Sequence, residues 1–256
     1  MSLPPGIGLE DKILCLKKAL YGLKQAPLKW YEKLSTVIIK RGFTSLHFDH
    51  CVFYHPKRKT ILVVYVDDLT IAGIKRDLEL LIDHLKSEFQ VTVKGPVHWL
   101  LGIEVQQTRE SITLNQGRYI DQILKRFGMD NLNPVRTPLD PKAKLVKATP
   151  DEPAIDTNLY QRMIGSLMYL VTCTRPDLAF TVSVLSQFSS HPLKIHHHAV
   201  KRVFRYLVGT RNLSLTYPRT GRLCLMGFSD AAYGNCLDTR RSWSGYCFYF
   251  SNCLIS

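Results

Sequence analysis

Tyr65-Val66-Asp67-Asp68 stands between two short apolar runs, Thr60–Val64 before it and Leu69–Gly73 after it. Two β-branched stretches joined through a tight acidic turn predict an antiparallel hairpin, about 61–66 and 69–73, with paired carboxylates at its tip. Neighbouring carboxylates repel, so a cation beside them is favoured. Mg²⁺ suits the position because it takes hard oxygen ligands and keeps open sites for substrate phosphates. Two such ions about 4 Å apart clamp the attacking and leaving oxygens of a phosphoryl transfer. Taken alone, the same residues also describe a solvated Asp-Asp turn.

The elements that would hold this turn can be read from periodicity. Trp30, Leu34, Val37 and Ile38 recur at helical spacing behind Pro27, which suits a first helical turn. Asp49–Tyr54 is strand-like, and Leu78, Leu81, Ile82, Leu85 and Phe89 mark a second helix. Strands are expected around 90–94, 101–107 and 111–115, then a short helix with Ile120, Ile123, Leu124 and Phe127 inward. Strands interleaved with helices over one core indicate an α+β fold.

Residues 133–158 differ in character. Pro134, Pro138, Pro141, Pro150 and Pro153 fall among Lys, Asp and Thr, as in an extended, semi-rigid tether. Helices are expected beyond it over about 159–171, 175–190 and 194–209. The last carries Val200, Val203, Phe204, Leu207 and Val208 on one face and His198, Lys201, Arg202 and Arg205 on the other. That basic face is either a solvated surface or a contact for a phosphate backbone. His196-His-His198 cannot converge on one metal, since consecutive helical residues point in different directions, and the three read as surface histidines. Strands at about 213–217, 223–229 and 244–250 close the sequence.

Charge narrows the partners. Lys plus Arg number 34 against 21 Asp plus Glu, a net +13, which suits an anionic partner such as nucleic acid or a membrane surface. No apolar stretch approaches the roughly 20 residues of a membrane span. The N-terminus lacks the basic head and apolar core of a signal peptide. Seven cysteines occur without a Cys-x-x-Cys pair, so a reduced intracellular chain without a zinc site is expected, cytoplasmic or nuclear.

Seven further blocks carry family information. They are Lys17-Lys-Ala-Leu-Tyr-Gly-Leu-Lys-Gln-Ala-Pro27, Trp99-Leu-Leu-Gly-Ile-Glu-Val105, Asn133-Pro-Val-Arg-Thr-Pro138, Gly165-Ser-Leu-Met-Tyr-Leu170, Thr174-Arg-Pro-Asp177, Ser229-Asp-Ala-Ala-Tyr-Gly234 and Asp238-Thr-Arg-Arg-Ser-Trp-Ser-Gly-Tyr246. In this order, around the aspartate turn, they resemble the reverse transcriptase and ribonuclease H region of copia-type retrotransposon Pol polyproteins.

The resemblance implies a partial palm and thumb over 1–132, a proline-rich linker over 133–158, a helical connection over 159–211 and the truncated start of a ribonuclease H-like α/β unit over 212–256. It implies RNA-directed DNA polymerase chemistry with two Mg²⁺ ions in the intact parent, Mn²⁺ being able to substitute. Template-primer, dNTP and the remaining Pol segments are the implied partners. Asp67 and Asp68 then become the catalytic, metal-binding carboxylates, and Tyr65 packs near the primer terminus. Tyr21, Gly22, Lys24 and Gln25 line the nucleotide and template pocket, although Lys24 also reads as an exposed lysine before a helix. Trp99 and Gly102 grip the primer, unless Trp99 is a core aromatic. Lys201, Arg202 and Arg205 meet the nucleic-acid backbone, and Asp230 is one ribonuclease H metal ligand.

Departures from the family pattern are equally clear. Asp230-Ala-Ala-Tyr233 replaces the common Asp-Ala-Asp-Trp, and the later ribonuclease H carboxylates do not follow before Ser256. Met1-Ser-Leu-Pro-Pro-Gly6 resembles the block just after the strand that bears the third polymerase aspartate. Asp11 and Asp49 are the other early aspartates, and neither lies in a matching apolar strand. The alternative function is therefore a catalytically incompetent remnant, at most a basic nucleic-acid-binding module.

Overall fold

The computed structural model describes residues 15–147, 155–220 and 224–256. The Met1–Gly6 block, Asp11 and part of the proline-rich stretch lie outside them. The chain divides into two compact units at Pro96.

The first unit places helices α1 (Ala26–Ile39) and α2 (Lys75–Glu88) with a four-stranded sheet, β1 (Thr44–Ser45), β2 (Val52–His55), β3 (Thr60–Tyr65) and β4 (Asp68–Ala72). Its strands pair in sequence order and antiparallel throughout. β3 alternates strictly between buried Thr60, Leu62 and Val64 and exposed Ile61, Val63 and Tyr65, because successive side chains of a strand point to opposite faces. Leu34 and Ile38 from α1, and Leu81 and Leu85 from α2, cover the buried face together with Phe43 and Phe53. Each helix contributes an i, i+4 pair, the spacing that lines one helical face. The strand expected around 90–94 does not form; these residues lead out of α2 without a partner strand to satisfy their backbone.

The second unit contains β5 (Trp99–Leu100), β6 (Ile103–Gln107), β7 (Ser111–Asn115), α3 (Gly117–Arg126), α4 (Thr157–Cys173), a 3-10 turn (Pro176–Leu178), α5 (Ala179–Ser186), α6 (Lys194–Thr210), β8 (Leu215–Pro218), β9 (Leu225–Ala232), β10 (Trp243–Phe250) and β11 (Cys253–Leu254). Helices α3 to α6 bury one core of Ile120, Ile123, Tyr160, Met163, Leu167, Leu170, Leu185, Val203, Phe204 and Leu207 among others. Asp156 caps α4 by accepting from the Leu159 N–H at 3.0 Å. The continuous strand expected over 101–107 is instead a tight hairpin, with β5 and β6 joined through Leu101 and Gly102.

Two expectations are corrected here. Strand β8, read as the opening of the C-terminal α/β unit, pairs antiparallel with β7 and completes the sheet β5-β6-β7-β8. Among the described residues, β9, β10 and β11 form a separate C-terminal sheet. His196 is fully buried rather than a surface histidine. Its ring stacks on Phe188 at 3.8 Å, Nδ1 accepts from the Leu193 N–H, and Nε2 lies 2.9 Å from the Val146 carbonyl.

The described part of the proline-rich segment, up to Lys147, is held against α6 rather than hanging as a tether. Arg202 donates to the Thr137 hydroxyl at 2.9 Å, Arg205 donates to the Asn133 carbonyl at 2.8 Å, and Leu145 enters the core. Among the described residues no helix is long and apolar enough to cross a membrane.

Candidate functional site

The aspartate turn forms as its flanks require. Tyr65 pairs with Asp68, so Val66 and Asp67 alone connect β3 to β4. Two-residue hairpins favour primed turns, which need a positive φ at their first central position. Val66 meets that demand at φ +51°, an uncommon conformation for a β-branched residue. Asp67 and Asp68 are both exposed, so a cation can reach them without desolvating the rest of the hairpin.

Their present partners are weak ones. The Tyr21 hydroxyl donates to Asp67 Oδ2 at 3.1 Å, and Lys94 Nζ stands 3.8 Å from Asp68 Oδ1. The side chains of both Lys94 and Asp68 are mainly in solvent, where such pairs contribute at most about 1 kcal/mol. The Asp67 carboxylate raises the Tyr21 phenol above its ordinary range, through the hydrogen bond first and then through its charge. Below the turn, Trp30 Nε1–H donates to the Val66 carbonyl at 2.8 Å.

The other residues expected at the nucleotide pocket lie in the same unit as this turn. Gly22 adopts φ +88° with open space where a Cβ would stand, so backbone conformation rather than crowding requires the glycine. Lys24 is exposed, and Gln25 is the N-cap residue of α1. Tyr65 projects from the face of β3 opposite the core and is 57% exposed. Asp49 turns to its own loop, accepting from the Cys51 N–H at 2.9 Å.

The remaining candidates lie in the second unit. Leu101 and Gly102 form the β5–β6 turn at φ +50° and +78°. The Tyr169 hydroxyl donates to the Leu101 carbonyl, and a Cβ on Gly102 would come within 2.9 Å of that hydroxyl oxygen. Trp99 is not a core aromatic: it is 42% exposed and carries the Arg118 guanidinium 4.4 Å from its ring centroid. Asp230 is exposed on β9 opposite Gly245. On α6, Lys201 is exposed, whereas Arg202 and Arg205 are committed to the 133–137 segment.

The donor chemistry of Asp67 and Asp68 fits a hard divalent cation. Among the described residues, no group of three or more His, Cys, Asp or Glu could hold a metal ion. The pair therefore supplies two carboxylates and leaves the rest of a coordination shell to water or substrate.

Sequence pattern misses two features. Helical spacing alone puts Trp30 in the core, although a half-buried indole N–H needs an acceptor. Arg175, in Thr174-Arg-Pro-Asp177, is 1% exposed and bonds bidentately to Asp177, to the Thr210 carbonyl and to the Thr210 hydroxyl.

An exposed Asp-Asp turn thus stands on an antiparallel hairpin whose sheet packs against two helices. The family model for reverse transcriptase (RNA-dependent DNA polymerase) matches residues 1–141, and the chain belongs to this family. Family members use divalent metal ions. The similarity extends over the whole chain to retrovirus-related Pol polyproteins of copia-type transposons. The polyprotein from transposon TNT 1-94 of Nicotiana tabacum is 37% identical across 100% of this chain and 20% of its own length. That from transposon RE1 of Arabidopsis thaliana is 38% identical across 100% of this chain and 18% of its own length. The mitochondrial protein AtMg00810 of Arabidopsis thaliana is 34% identical across 76% of this chain and 80% of its own length. The chain thus spans about a fifth of the polyproteins. No solved structure matches it.

Proposed function

We propose that this chain is the polymerase-centre segment of a copia-type Pol polyprotein, acting in RNA-directed DNA synthesis. The observation that carries the reading is the hairpin that presents Asp67 and Asp68, both exposed, on a two-residue turn in a reverse transcriptase family chain. In the reaction the primer 3′-hydroxyl attacks the α-phosphate of a dNTP and gives up its proton to solvent, a new P–O bond forms, and the α–β phosphoanhydride bond breaks as pyrophosphate leaves. Asp67 and Asp68 would hold Mg²⁺, two ions in the complete polyprotein, with Mn²⁺ as a substitute. Divalent ions there supply electrostatic stabilisation of the phosphoryl group in transfer.

The protein's own groups do the positioning. Tyr65 offers an apolar ring body and a hydroxyl beside the primer terminus. Gly22 lets backbone approach the nucleotide, Lys24 reaches a phosphate or the template, and Tyr21 and Gln25 border the same pocket. Trp99 and Gly102 contact the primer from their own hairpin. Lys201, Arg202 and Arg205 meet the phosphate backbone, with Lys201 the immediately available charge. Residues 212–256 contribute the start of a ribonuclease H-like unit whose first metal carboxylate is Asp230. Template-primer, dNTP and the other Pol segments are the partners, in the cytoplasm or nucleus.

Fluorescence anisotropy on a labelled RNA–DNA template-primer tests this. Mg²⁺ and the matching dNTP should tighten binding, and Asp67→Asn or Asp68→Asn should remove that increment while sparing binding without metal. Equal increments in wild type and both variants would reject the reading.

A second reading rests on the net charge of +13: the chain serves as a basic nucleic-acid-binding module without turnover.

A further inference from the structure

The Val66 carbonyl belongs to the peptide that links Val66 to Asp67, so whatever fixes that plane also fixes the Asp67 N–Cα bond from which its side chain departs. Val66 is left-handed at φ +51°, a conformation in which its branched side chain crowds the backbone. Left alone, such a residue relaxes. The Trp30 indole N–H donates to this carbonyl at 2.8 Å. The indole cannot easily swing away, because Phe89 meets it edge-on with ring centroids 5.3 Å apart. Lys33 Nζ in turn lies 5.3 Å from the Phe89 centroid. A packing aromatic needs no donor; here the one donor of the ring is aimed at the one strained carbonyl of the turn.

We propose that Trp30 is a positioning residue for the aspartate pair: its indole N–H holds the left-handed Val66 and thereby sets the Asp67 and Asp68 carboxylates for a divalent cation. The cation part rests on the function proposed above.

The full-length chain is used, ¹⁵N-labelled, with Mn²⁺ affinity read from the free-ion electron paramagnetic resonance signal. Trp30→Phe removes the donor and keeps an aromatic against Phe89. Benzothienylalanine at position 30 removes only the N–H and guards against a folding artefact. Both should leave the far-ultraviolet circular dichroism unchanged and weaken Mn²⁺ binding about tenfold. Both should also abolish the strong intraresidue HN–Hα NOE that marks a left-handed Val66. In a Val66→Gly background, where positive φ carries no penalty, Trp30→Phe should cost threefold or less.

Unchanged Mn²⁺ affinity with the NOE retained overturns the proposal. So does an equal loss with and without the Val66→Gly substitution, which marks Trp30 as packing only. If wild type binds Mn²⁺ no better than Asp67→Asn, the function proposed above fails instead. The Trp30 assignment then stands or falls on whether the Val66 NOE disappears in Trp30→Phe.

Discussion

Tyr21 and Asp67 lie 46 positions apart in sequence, and the Tyr21 hydroxyl donates to the Asp67 carboxylate at 3.1 Å. This bond ties the segment before α1 to the tip of the β3–β4 hairpin, and it has a titration signature. The carboxylate raises the phenol of Tyr21, since ionising it would remove a donor and bring two negative charges together. A raised pKa means the contribution is complete below the ordinary tyrosine range and lost as pH climbs through the higher folded-state value. A phenolate absorbance titration, wild type minus Tyr21→Phe, should show Tyr21 ionising above an ordinary tyrosine. Asp67→Asn should return it toward the ordinary value.

The basic chain is expected to bind nucleic acid without sequence preference and to weaken steeply with salt. Each phosphate contact contributes about −0.9 to the log–log slope on duplex DNA. Lys201→Glu should flatten that slope with the fold intact. Arg202→Glu and Arg205→Glu should also release the 133–137 segment, because both side chains bond to it. Salt titrations of each variant, compared with thermal melts, separate the two effects.

Arg175 is expected to matter for stability rather than for the site. Its guanidinium is buried, joins Asp177 and Thr210, and packs over the Tyr206 ring. The Tyr206 hydroxyl also donates to Asp177. Removing one partner of a buried pair costs about 3–5 kcal/mol, and the lower end applies because Asp177 is a third exposed. Arg175→Ala should lower the urea midpoint accordingly. Arg175→Lys should recover little, since an ammonium cannot reproduce the bidentate fork.

Much of the first unit was legible from pattern. The apolar, β-branched flanks of Asp67 and Asp68 predicted the hairpin within a residue or two, and helical spacing located α1 and α2. What pattern could not supply was partner choice. Leu215–Pro218 reads as a strand in any sheet; that it joins β7 follows from a register set more than a hundred residues away. His196 looked like its two neighbours, but a helix rotates about 100° per residue, and position 196 is the one turned onto Phe188. Arg202 and Arg205 satisfied the pattern of a solvated basic face, while their hydrogen-bond partners come from a proline-rich stretch with no periodicity of its own.

The central claim is that Asp67 and Asp68 form the divalent-cation site of a reverse transcriptase family chain. Mn²⁺ titrated into the ¹⁵N-labelled protein tests it most directly, through paramagnetic broadening of backbone amides. Broadening should appear first at Val66, Asp67, Asp68 and Leu69, with Tyr21 following as its hydrogen bond is displaced, and Asp67→Asn with Asp68→Asn should abolish it. Broadening that centres on Asp230 or on scattered surface carboxylates, with residues 66–69 still sharp, would contradict the claim.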